Sequence, residues 1–246
     1  MQTFQPLWRT RHVAITVRAF EVLASTQREA CECVATGQAD GLLVMADEQT
    51  NGRGRLGRAW QSPPGNLYLS LVLKPPPPIA GWPRYTLLAA LALADAIESV
   101  CDVPPSLKWP NDVLVRGRKV AGILAEVVDE RLVLGVGVNV NAPVPTELPH
   151  ATSLRDEVGH EVERARLLQA FVEQFDAHYD ESLHGARFMS RCAARMETLG
   201  REVRVQMGAQ TITGIAESVT DDGALIVRQA DDSRIVCHAG EVTLRA

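Results

Sequence analysis

The alternation of apolar and polar positions predicts a mixed α+β protein whose first part combines buried strands with helices. Residues 41–49 and 66–73 are short apolar runs bounded by polar residues, which is typical of buried strands. Residues 84–100 are rich in alanine and leucine and apolar nearly all round, so we expect a buried helix there. Residues 162–183 predict a second core helix, because an apolar stripe recurs at spacings of three and four: Leu168, Phe171, Phe175 and Tyr179.

The middle of the chain predicts three consecutive strands, at residues 105–115, 116–128 and 130–141. The polar turns between them are too short for helical crossovers, so we expect antiparallel neighbours. Nearer the start, residues 18–26 predict a strand that runs into a helix, with Thr26 and Glu29 forming a capping box.

The pattern of apolar runs and turn residues changes at Thr198. About five short strands follow in fewer than fifty residues, separated by glycine- and aspartate-rich turns, which is the pattern of a small antiparallel barrel. The sequence therefore predicts two domains. Residues 1–197 would contain a mixed, largely antiparallel sheet flanked by helices, and residues 198–246 a compact β-barrel without an evident catalytic cluster.

Composition narrows the classes of function. The chain has 246 residues, is 46% hydrophobic and carries a net charge of −5, which suits a globular protein with a substantial core and does not favour duplex nucleic acid. Its five cysteines are scattered and odd in number, so we expect neither a disulfide framework nor a metal site. No apolar run approaches the roughly 18 residues of a membrane span, and no secretory signal is evident. We therefore expect a cytoplasmic protein that contacts neither DNA nor a membrane.

A glycine- and arginine-rich loop between two predicted strands is the main candidate for chemistry. It reads GRGRLGRAW over residues 52–60. Its glycines let backbone N–H groups approach a ligand closely, and its arginines offer charged planar groups that suit phosphate or carboxylate. Trp60 adds a flat face on which a base could stack. The alternatives are a flexible surface loop and a segment that binds nucleic acid through charge, since the loop matches neither common phosphate-binding glycine motif.

Polar residues interrupt the predicted central strands at six positions: Lys108, Asn111, Asp112, Lys119, Asn139 and Asn141. A half-buried lysine needs a partner, and either Asp112 or a bound anion could serve Lys108. The alternative is a lysine–aspartate pair that only ties the sheet together. Before the first helix, Ser25 and Thr26 are explained by helix capping, and their alternative role is contact with a polar ligand.

In their order along the chain, these segments resemble the biotin–protein ligases, which attach biotin to biotin-dependent carboxylases. The loop at residues 52–60 is similar to that family's glycine–arginine loop, KWPND at residues 108–112 to its central lysine motif, and KVAGIL at residues 119–124 to its next strand. GVGVNVN at residues 135–141 fits too, as do GALIVR and GEVTLR near the end, which mark the family's SH3-like C-terminal domain. The resemblance extends from Ser25 to the end, and it implies a fold like that of biotin ligases and class II aminoacyl-tRNA synthetases.

Two features bear on which member of the family is resembled. Gln27 stands where the family usually has asparagine after the Ser25-Thr26 pair, so the side-chain amide is kept but is longer by one methylene. Fewer than 25 residues precede that pair, too few for the helix-turn-helix domain of members that repress biotin genes. The resemblance therefore implies the monofunctional form.

The resemblance also implies a two-step reaction. Biotin and ATP, with Mg²⁺, give biotinyl-5'-adenylate and pyrophosphate, and a lysine of the biotin carboxyl carrier domain of acetyl-CoA carboxylase or a related carboxylase then takes the biotinyl group. The catalytic residues implied are Lys108, Arg53 and Arg55. Biotin is assigned to Ser25, Thr26, Gln27, Gln49, Arg53, Gly54, Arg55, Tyr68, Ser70 and Lys108, and ATP or the adenylate to Arg55, Arg58, Trp60, Asn111, Lys119 and Asn139.

Three alternative functions are open from the sequence. A lipoate–protein ligase shares the fold and the acyl-adenylate chemistry, although the loop and KWPND favour biotin. A binding protein that senses biotin or a nucleotide without turnover is the second, and Lys108 argues against it. The third is a nucleic-acid-binding module, which the pI of about 5.7 and the few aromatic residues disfavour. The oligomeric state is also open, a homodimer included.

Overall fold

The computed structural model describes residues 2–4, 8–37, 41–184 and 188–244. Within these ranges the main sheet consists of β1 (Gln2–Phe4), β2 (Thr16–Leu23), β3 (Leu42–Gln49), β4 (Leu67–Leu73), β5 (Ser106–Lys108), β6 (Asp112–Val115), β7 (Arg118–Val128) and β8 (Arg131–Val138). Their order across the sheet is β1-β2-β3-β4-β8-β7-β6-β5. β2 and β3 are parallel and the other neighbouring pairs are antiparallel, which confirms the predicted mixed, largely antiparallel sheet.

Helices cover both faces of the main sheet. They are α1 (Thr26–Ala35), α2 (Arg84–Cys101), α3 (Leu154–Val158), α4 (Arg164–Leu183) and α5 (Met189–Ala194). Helices α2 and α4 pack together over one face, in the same apolar cluster as Leu69 and Leu71 of β4. Helix α1 covers the other face, where Ala30 and Val34 cluster with Val72. Strand β4 is therefore buried along its whole length, and the four apolar residues predicted to face the core from α4 are all buried.

A second sheet forms the C-terminal part of the chain. It contains β9 (Glu202–Met207), β10 (Gln210–Val219), β11 (Leu225–Arg228), β12 (Arg234–Cys237) and β13 (Glu241–Leu244), in the order β12-β11-β10-β9-β13. The five antiparallel strands confirm the predicted pattern. Across residues 188–244 the two edge strands, β12 and β13, are not paired with each other, so the sheet does not close into the expected barrel. The proposed division at residues 197 and 198 stays a prediction.

Three local expectations need correction. The stretch from 105 to 115 is two strands, because Pro110 has no N–H to donate and the chain turns there, with the Asn111 N–H donating to the Lys108 carbonyl at 3.2 Å. The N-cap of α1 is Ser25, whose hydroxyl accepts from the Arg28 N–H, while Thr26 is the first helical residue. The sequence predicts an irregular connector over residues 143–159, but this segment contains the short helix α3. The sequence also predicts a helix over residues 186–196, of which residues 186–187 lie outside the described residues, as does residue 245 at the end of the last predicted strand.

None of the described helices combines the length and the apolar character that crossing a bilayer requires.

Candidate active site

A cleft of about 890 Å³ opens over the main sheet, between the start of α1, the glycine–arginine loop and the second sheet. Its lining includes thirteen of the fifteen residues assigned to biotin or ATP: Ser25, Thr26, Gln27, Gln49, Arg53, Gly54, Arg55, Arg58, Trp60, Lys108, Asn111, Lys119 and Asn139. They come from five separate stretches of the chain, so the fold brings them to one place. Tyr68 and Ser70 are not part of the lining.

The floor of the cleft is one row of cross-strand neighbours. Gly137 of β8 pairs with Gly122 of β7, which pairs with Asp112 of β6, which pairs with Lys108 of β5. Residues that pair across strands share a face of the sheet, so these four lie on the cleft side. The glycines of GVGVNVN therefore face the cleft, whereas the valines between them are in the core.

Trp60 lies against this glycine floor. A Cβ on Gly137 would be 2.5 Å from Trp60 Nε1, and one on Gly122 would be 3.0 Å from the ring, so only glycine leaves room for the indole. The Lys119 ammonium sits 5.3 Å from the centre of the ring. Trp60 Nε1 is buried and has no hydrogen-bond partner among the described residues. An unpaired buried donor is costly, so this N–H is suited to an acceptor on a ligand.

A buried hydrogen-bond network forms the inner end of the cleft. The Thr26 N–H and hydroxyl both point to the Gln49 carbonyl oxygen, at 2.8 and 3.2 Å. The Ser70 hydroxyl lies 3.0 Å from the Thr26 hydroxyl and 3.2 Å from the Gln27 carbonyl oxygen. Ser25, Thr26 and Gln27 are each 3% exposed, which means that this end of the cleft presents matched polar groups inside an otherwise apolar wall.

Gln27 is accommodated by a glycine on the neighbouring strand. Its amide nitrogen donates to the Val133 carbonyl at 3.2 Å, and a Cβ on Gly135 would come within 2.5 Å of its amide oxygen. The longer amide therefore reaches the β8 backbone through the space that Gly135 leaves. This explains how the chain carries glutamine at a position where the resembled family usually has asparagine.

Tyr68 and Ser70 lie behind the lining, and the structure does not support their expected contact with a ligand. Tyr68 is 1% exposed, and its hydroxyl donates to the Pro63 carbonyl at 2.8 Å and accepts from Asn66. Burial raises the pKa of Tyr68 to about 12, so the phenol is neutral. Ser70 is fully buried and supports Thr26 and Gln27 from below.

The glycine–arginine loop is a small hairpin whose three arginines all have partners. The Trp60 N–H donates to the Gly52 carbonyl and the Gly54 N–H to the Arg58 carbonyl. The partners of the arginines are Glu126 for Arg53, at 3.1 Å; Asn111 and the Gly240 carbonyl for Arg55, at 2.9 and 3.0 Å; and Glu241 for Arg58, at 2.5 Å. Burial lowers the pKa of the Arg55 guanidinium, and the carboxylates of Asp112 and Glu241 oppose that shift.

The two cleft lysines have different environments. Lys119 forms an ion pair with Asp112 at 2.6 Å, so Asp112, one of the two alternatives for Lys108, is engaged by the other lysine. Lys108 is the cross-strand neighbour of Asp112, yet it makes no hydrogen bond or ion pair with any described residue. The half-buried ammonium of Lys108 is therefore the uncommitted cation of the cleft, meaning that no described residue neutralises it. Of the two partners considered for Lys108, a bound anion is the one that fits this environment.

No cysteine is activated for nucleophilic chemistry. All five are free thiols, and their pKa values are raised, in each case first by burial. For Cys31, the pKa rises to about 11. The thiols therefore stay protonated at neutral pH.

Sequence reasoning missed two parts of the cleft. One is the turn before β13, where Gly240 and Glu241 hold loop arginines 185 and 183 positions earlier in the chain. The other is the proline-rich connector, since most of residues 143–151 line the cleft. Neither part has a periodic hydrophobic pattern from which its position could be predicted. The only signal was the GEVTLR segment, which resembles the C-terminal domain of the biotin–protein ligases.

Hydrogen bonds of Trp109 connect the floor of the cleft to the C-terminal part of the chain. Its indole N–H donates to the Gly223 carbonyl at 2.9 Å, and its backbone N–H donates to the Thr198 hydroxyl at 3.0 Å. The side chain is 2% exposed. Because Trp109 directly follows Lys108, these two bonds restrain the backbone that carries the uncommitted ammonium.

Comparison with known proteins gives two family matches. The model of the biotin/lipoate A/B protein ligase family matches residues 19–142, and that of the biotin protein ligase C-terminal domain matches residues 198–245. The chain is 35% identical to a biotin–[acetyl-CoA-carboxylase] ligase of Mycobacterium tuberculosis, over 92% of this chain and 88% of that one. It is 37% identical to the protein of the same name from Paracoccus denitrificans, over 89% and 96%. It also superimposes on the biotin protein ligase from Aquifex aeolicus in complex with biotin and ATP, with a TM-score of 0.83, 31% identity and coverage of 93% and 98%.

Proposed function

The chain belongs to the biotin/lipoate A/B protein ligase family, and we propose that it uses ATP to attach biotin to a lysine of the biotin carboxyl carrier domain of a carboxylase. In the first step a biotin carboxylate oxygen attacks the α-phosphorus of ATP, and the bond to pyrophosphate breaks. In the second step the amine of the carrier lysine attacks the acyl carbon of biotinyl-5'-adenylate, and AMP leaves. The enzyme must hold two anions together and stabilise charge at phosphorus.

The observation that carries this proposal is the uncommitted ammonium of Lys108 in a cleft that also holds Arg53 and Arg55. Two anions repel each other, and fixed cations between them lower the energy of the approach. We propose that Lys108 contacts the carboxylate and α-phosphate oxygens, and that Arg53 and Arg55 complete their neutralisation. The Gly54 N–H is bonded to the Arg58 carbonyl, so Gly54 serves by holding the two arginines in the loop hairpin. An ammonium that no protein group neutralises is ready for this role.

We propose that the inner, polar end of the cleft takes the ureido ring of biotin. A ureido group has two N–H donors and one carbonyl acceptor, so it needs both kinds of partner in a buried site. Ser25, Thr26 and Gln49 supply hydroxyl and amide groups there, and Gln27 holds their network against β8. Leu124, the cross-strand neighbour of the cleft residue Gly135, lines the cleft beside them and offers apolar surface for the thioether ring and the alkyl chain.

The nucleotide is proposed to occupy the outer part of the cleft. Trp60 offers a ring face and an unpaired N–H, and Arg58 and Lys119 offer charge for the triphosphate. We propose that Mg²⁺ binds together with ATP and that Asn139 contacts it. That residue's amide nitrogen donates to the Thr152 carbonyl at 3.2 Å, which leaves its amide oxygen for a metal that prefers oxygen ligands.

Biotin is favoured over lipoate by the C-terminal part of the chain. The domain matched at residues 198–245 is the one described for biotin protein ligases, whereas the family matched at residues 19–142 includes lipoate ligases as well. The second sheet also contributes to the cleft, because Gly240 and Glu241 hold two of the loop arginines.

Biotin-dependent exchange of labelled pyrophosphate into ATP tests the proposal. We expect exchange with biotin and none with lipoate or octanoate. Exchange with lipoate alone would overturn the assignment of biotin. If none of the three acids supports exchange, the chain binds a ligand without turning it over. Transfer to a purified carrier domain, followed by mass spectrometry, tests the second step separately.

Replacing Trp109 with phenylalanine is expected to lower kcat for exchange about threefold to tenfold, because it removes a buried hydrogen bond and leaves the Gly223 carbonyl unpaired. The matched control is Trp82→Phe, since Trp82 is 3% exposed and donates to the Pro76 carbonyl at 2.9 Å away from the cleft. We expect both variants to lose similar stability in thermal unfolding and only the first to lose activity. Equal activity in the two would make Trp109 a purely structural residue.

A further inference from the structure

The chain uses arginine almost exclusively as its cationic side chain. It contains 25 lysines and arginines, and only three of them are lysines: Lys74, Lys108 and Lys119. The arginines form ion pairs across the described surface, for example Arg195 with Asp95 at 3.0 Å and Arg234 with Glu217 at 2.6 Å. Positive charge is therefore plentiful, whereas primary amines are rare.

This distinction matters if the enzyme makes an acyl-adenylate, and the inference rests on that proposed function. An acyl-adenylate is a mixed anhydride, and a neutral amine attacks its acyl carbon: the C–N bond forms, the C–O bond to AMP breaks, and the amine gives up its proton to water. A guanidinium stays protonated and has no free lone pair for this attack. Arginine thus supplies charge without offering the activated biotin a competing acceptor.

The two cleft lysines are poorly placed to act as acceptors. The Lys119 ammonium is paired with Asp112 at 2.6 Å. Lys108 is proposed to contact the carboxylate and phosphate oxygens, and while it does so its protonated ammonium has no lone pair with which to attack.

Lys74 differs from both. It directly follows β4, is exposed, and makes no hydrogen bond or ion pair with any residue in the described ranges. Strand β4 starts beside Asn66, which lines the cleft, so Lys74 lies at the opposite end of the strand. The cleft lining extends along β4 as far as Leu69, so at 3.3 Å per residue the five steps from Leu69 to Lys74 span about 16 Å, and only adenylate that has left the cleft can reach the amine.

We propose that Lys74 is the side chain on which this enzyme biotinylates itself when biotinyl-5'-adenylate escapes, and that its arginine-based surface confines the reaction to that amine. The test incubates the full chain with biotin and Mg–ATP without a carrier, followed by peptide mapping, which separates side-chain acylation from acylation of the α-amino group. We expect biotin on Lys74, and at least about a tenfold loss of side-chain label in Lys74→Arg.

A matched gain-of-site variant sharpens the test. Arg204 is exposed and has no ion pair among the described residues, so Arg204→Lys adds one amine on the second sheet. We expect a second labelled position in this variant, and we expect free hydroxylamine to suppress both labels because both react with escaped adenylate. Labelling of Lys108 or Lys119 in preference to Lys74 would overturn the proposal.

Failure of this inference is distinguishable from failure of the proposed function. If biotin, ATP and hydroxylamine give AMP and biotin hydroxamate, and Lys74 stays unlabelled in the parallel incubation without hydroxylamine, the enzyme makes the adenylate and the inference alone is wrong. If no AMP forms, the proposed function is wrong, and synthetic biotinyl-5'-adenylate added to the same chain still decides whether Lys74 is the preferred side-chain acceptor.

Discussion

Replacing Lys108 with glutamine is expected to lower the rate of biotin-dependent ATP–pyrophosphate exchange by about 10²- to 10³-fold, the usual loss when one preorganised charge-stabilising donor is removed. The reason is that Lys108 is the cleft cation without a partner in the described structure, whereas each loop arginine and Lys119 is engaged by a protein group. Glutamine keeps an N–H donor, on a side chain one atom shorter, and removes the charge. The effect should fall on kcat more than on the KM for biotin, since the charge acts mainly on the transition state.

The same substitution should leave the fold intact. Lys108 makes no hydrogen bond or ion pair with a described residue, so its replacement breaks no polar interaction within the described structure. Lys74→Gln is the matched control, because it removes the same charge from a lysine outside the cleft. We expect thermal unfolding of both variants to stay close to that of the unsubstituted protein. If Lys108→Gln catalyses the exchange as fast as Lys74→Gln does, Lys108 has no part in the mechanism.

The elements of the fold are largely predictable because their signals are local. The all-round apolar character of residues 84–100 predicted a buried helix, and α2 (Arg84–Cys101) is buried along most of its length. The alternation in GVGVNVN is equally local: β8 puts the valines into the core and the glycines on the cleft floor. What the pattern could not say is why the floor consists of glycine, because the reason is an indole from a loop far away in the chain.

The partners of the charged residues were not predictable, since several acceptors compete for each cation. From the sequence, Asp112 was one of two candidate partners for Lys108, the other being a bound anion. Both lysines lie on strands adjacent to Asp112, and the structure pairs it with Lys119, whose ammonium also lies over the Trp60 ring. Similarly, nothing in the local sequence of β13 says that Glu241 meets Arg58, because that contact depends on how the second sheet docks through Trp109.

Arg55→Ala is expected to release biotinyl-5'-adenylate about 10- to 100-fold faster, which corresponds to the loss of about 1.5–3 kcal/mol for hydrogen bonds to a charged group. Arg55 joins three parts of the cleft, since its guanidinium belongs to the loop, contacts Asn111 of the KWPND turn and reaches the Gly240 carbonyl of the second sheet. We expect it to contribute both a charge for the adenylate phosphate and a restraint on the loop that covers it. Alanine removes both, so the loss should appear chiefly in the dissociation rate.

The measurement for Arg55→Ala is the dissociation rate of preformed adenylate, followed by adding excess unlabelled biotin and ATP to the isolated complex. Arg204→Ala is the control, because Arg204 is an exposed arginine of the second sheet without an ion pair among the described residues. The fold should persist, since Asn111 keeps its bond to the Ile123 carbonyl at 3.1 Å and the sheet pairing does not involve Arg55. Equal dissociation rates in the two variants would show that the adenylate is retained without Arg55. The charge at phosphorus would then be balanced by Lys108 and the remaining arginines, and the contact of Arg55 with the second sheet would serve only to hold the loop.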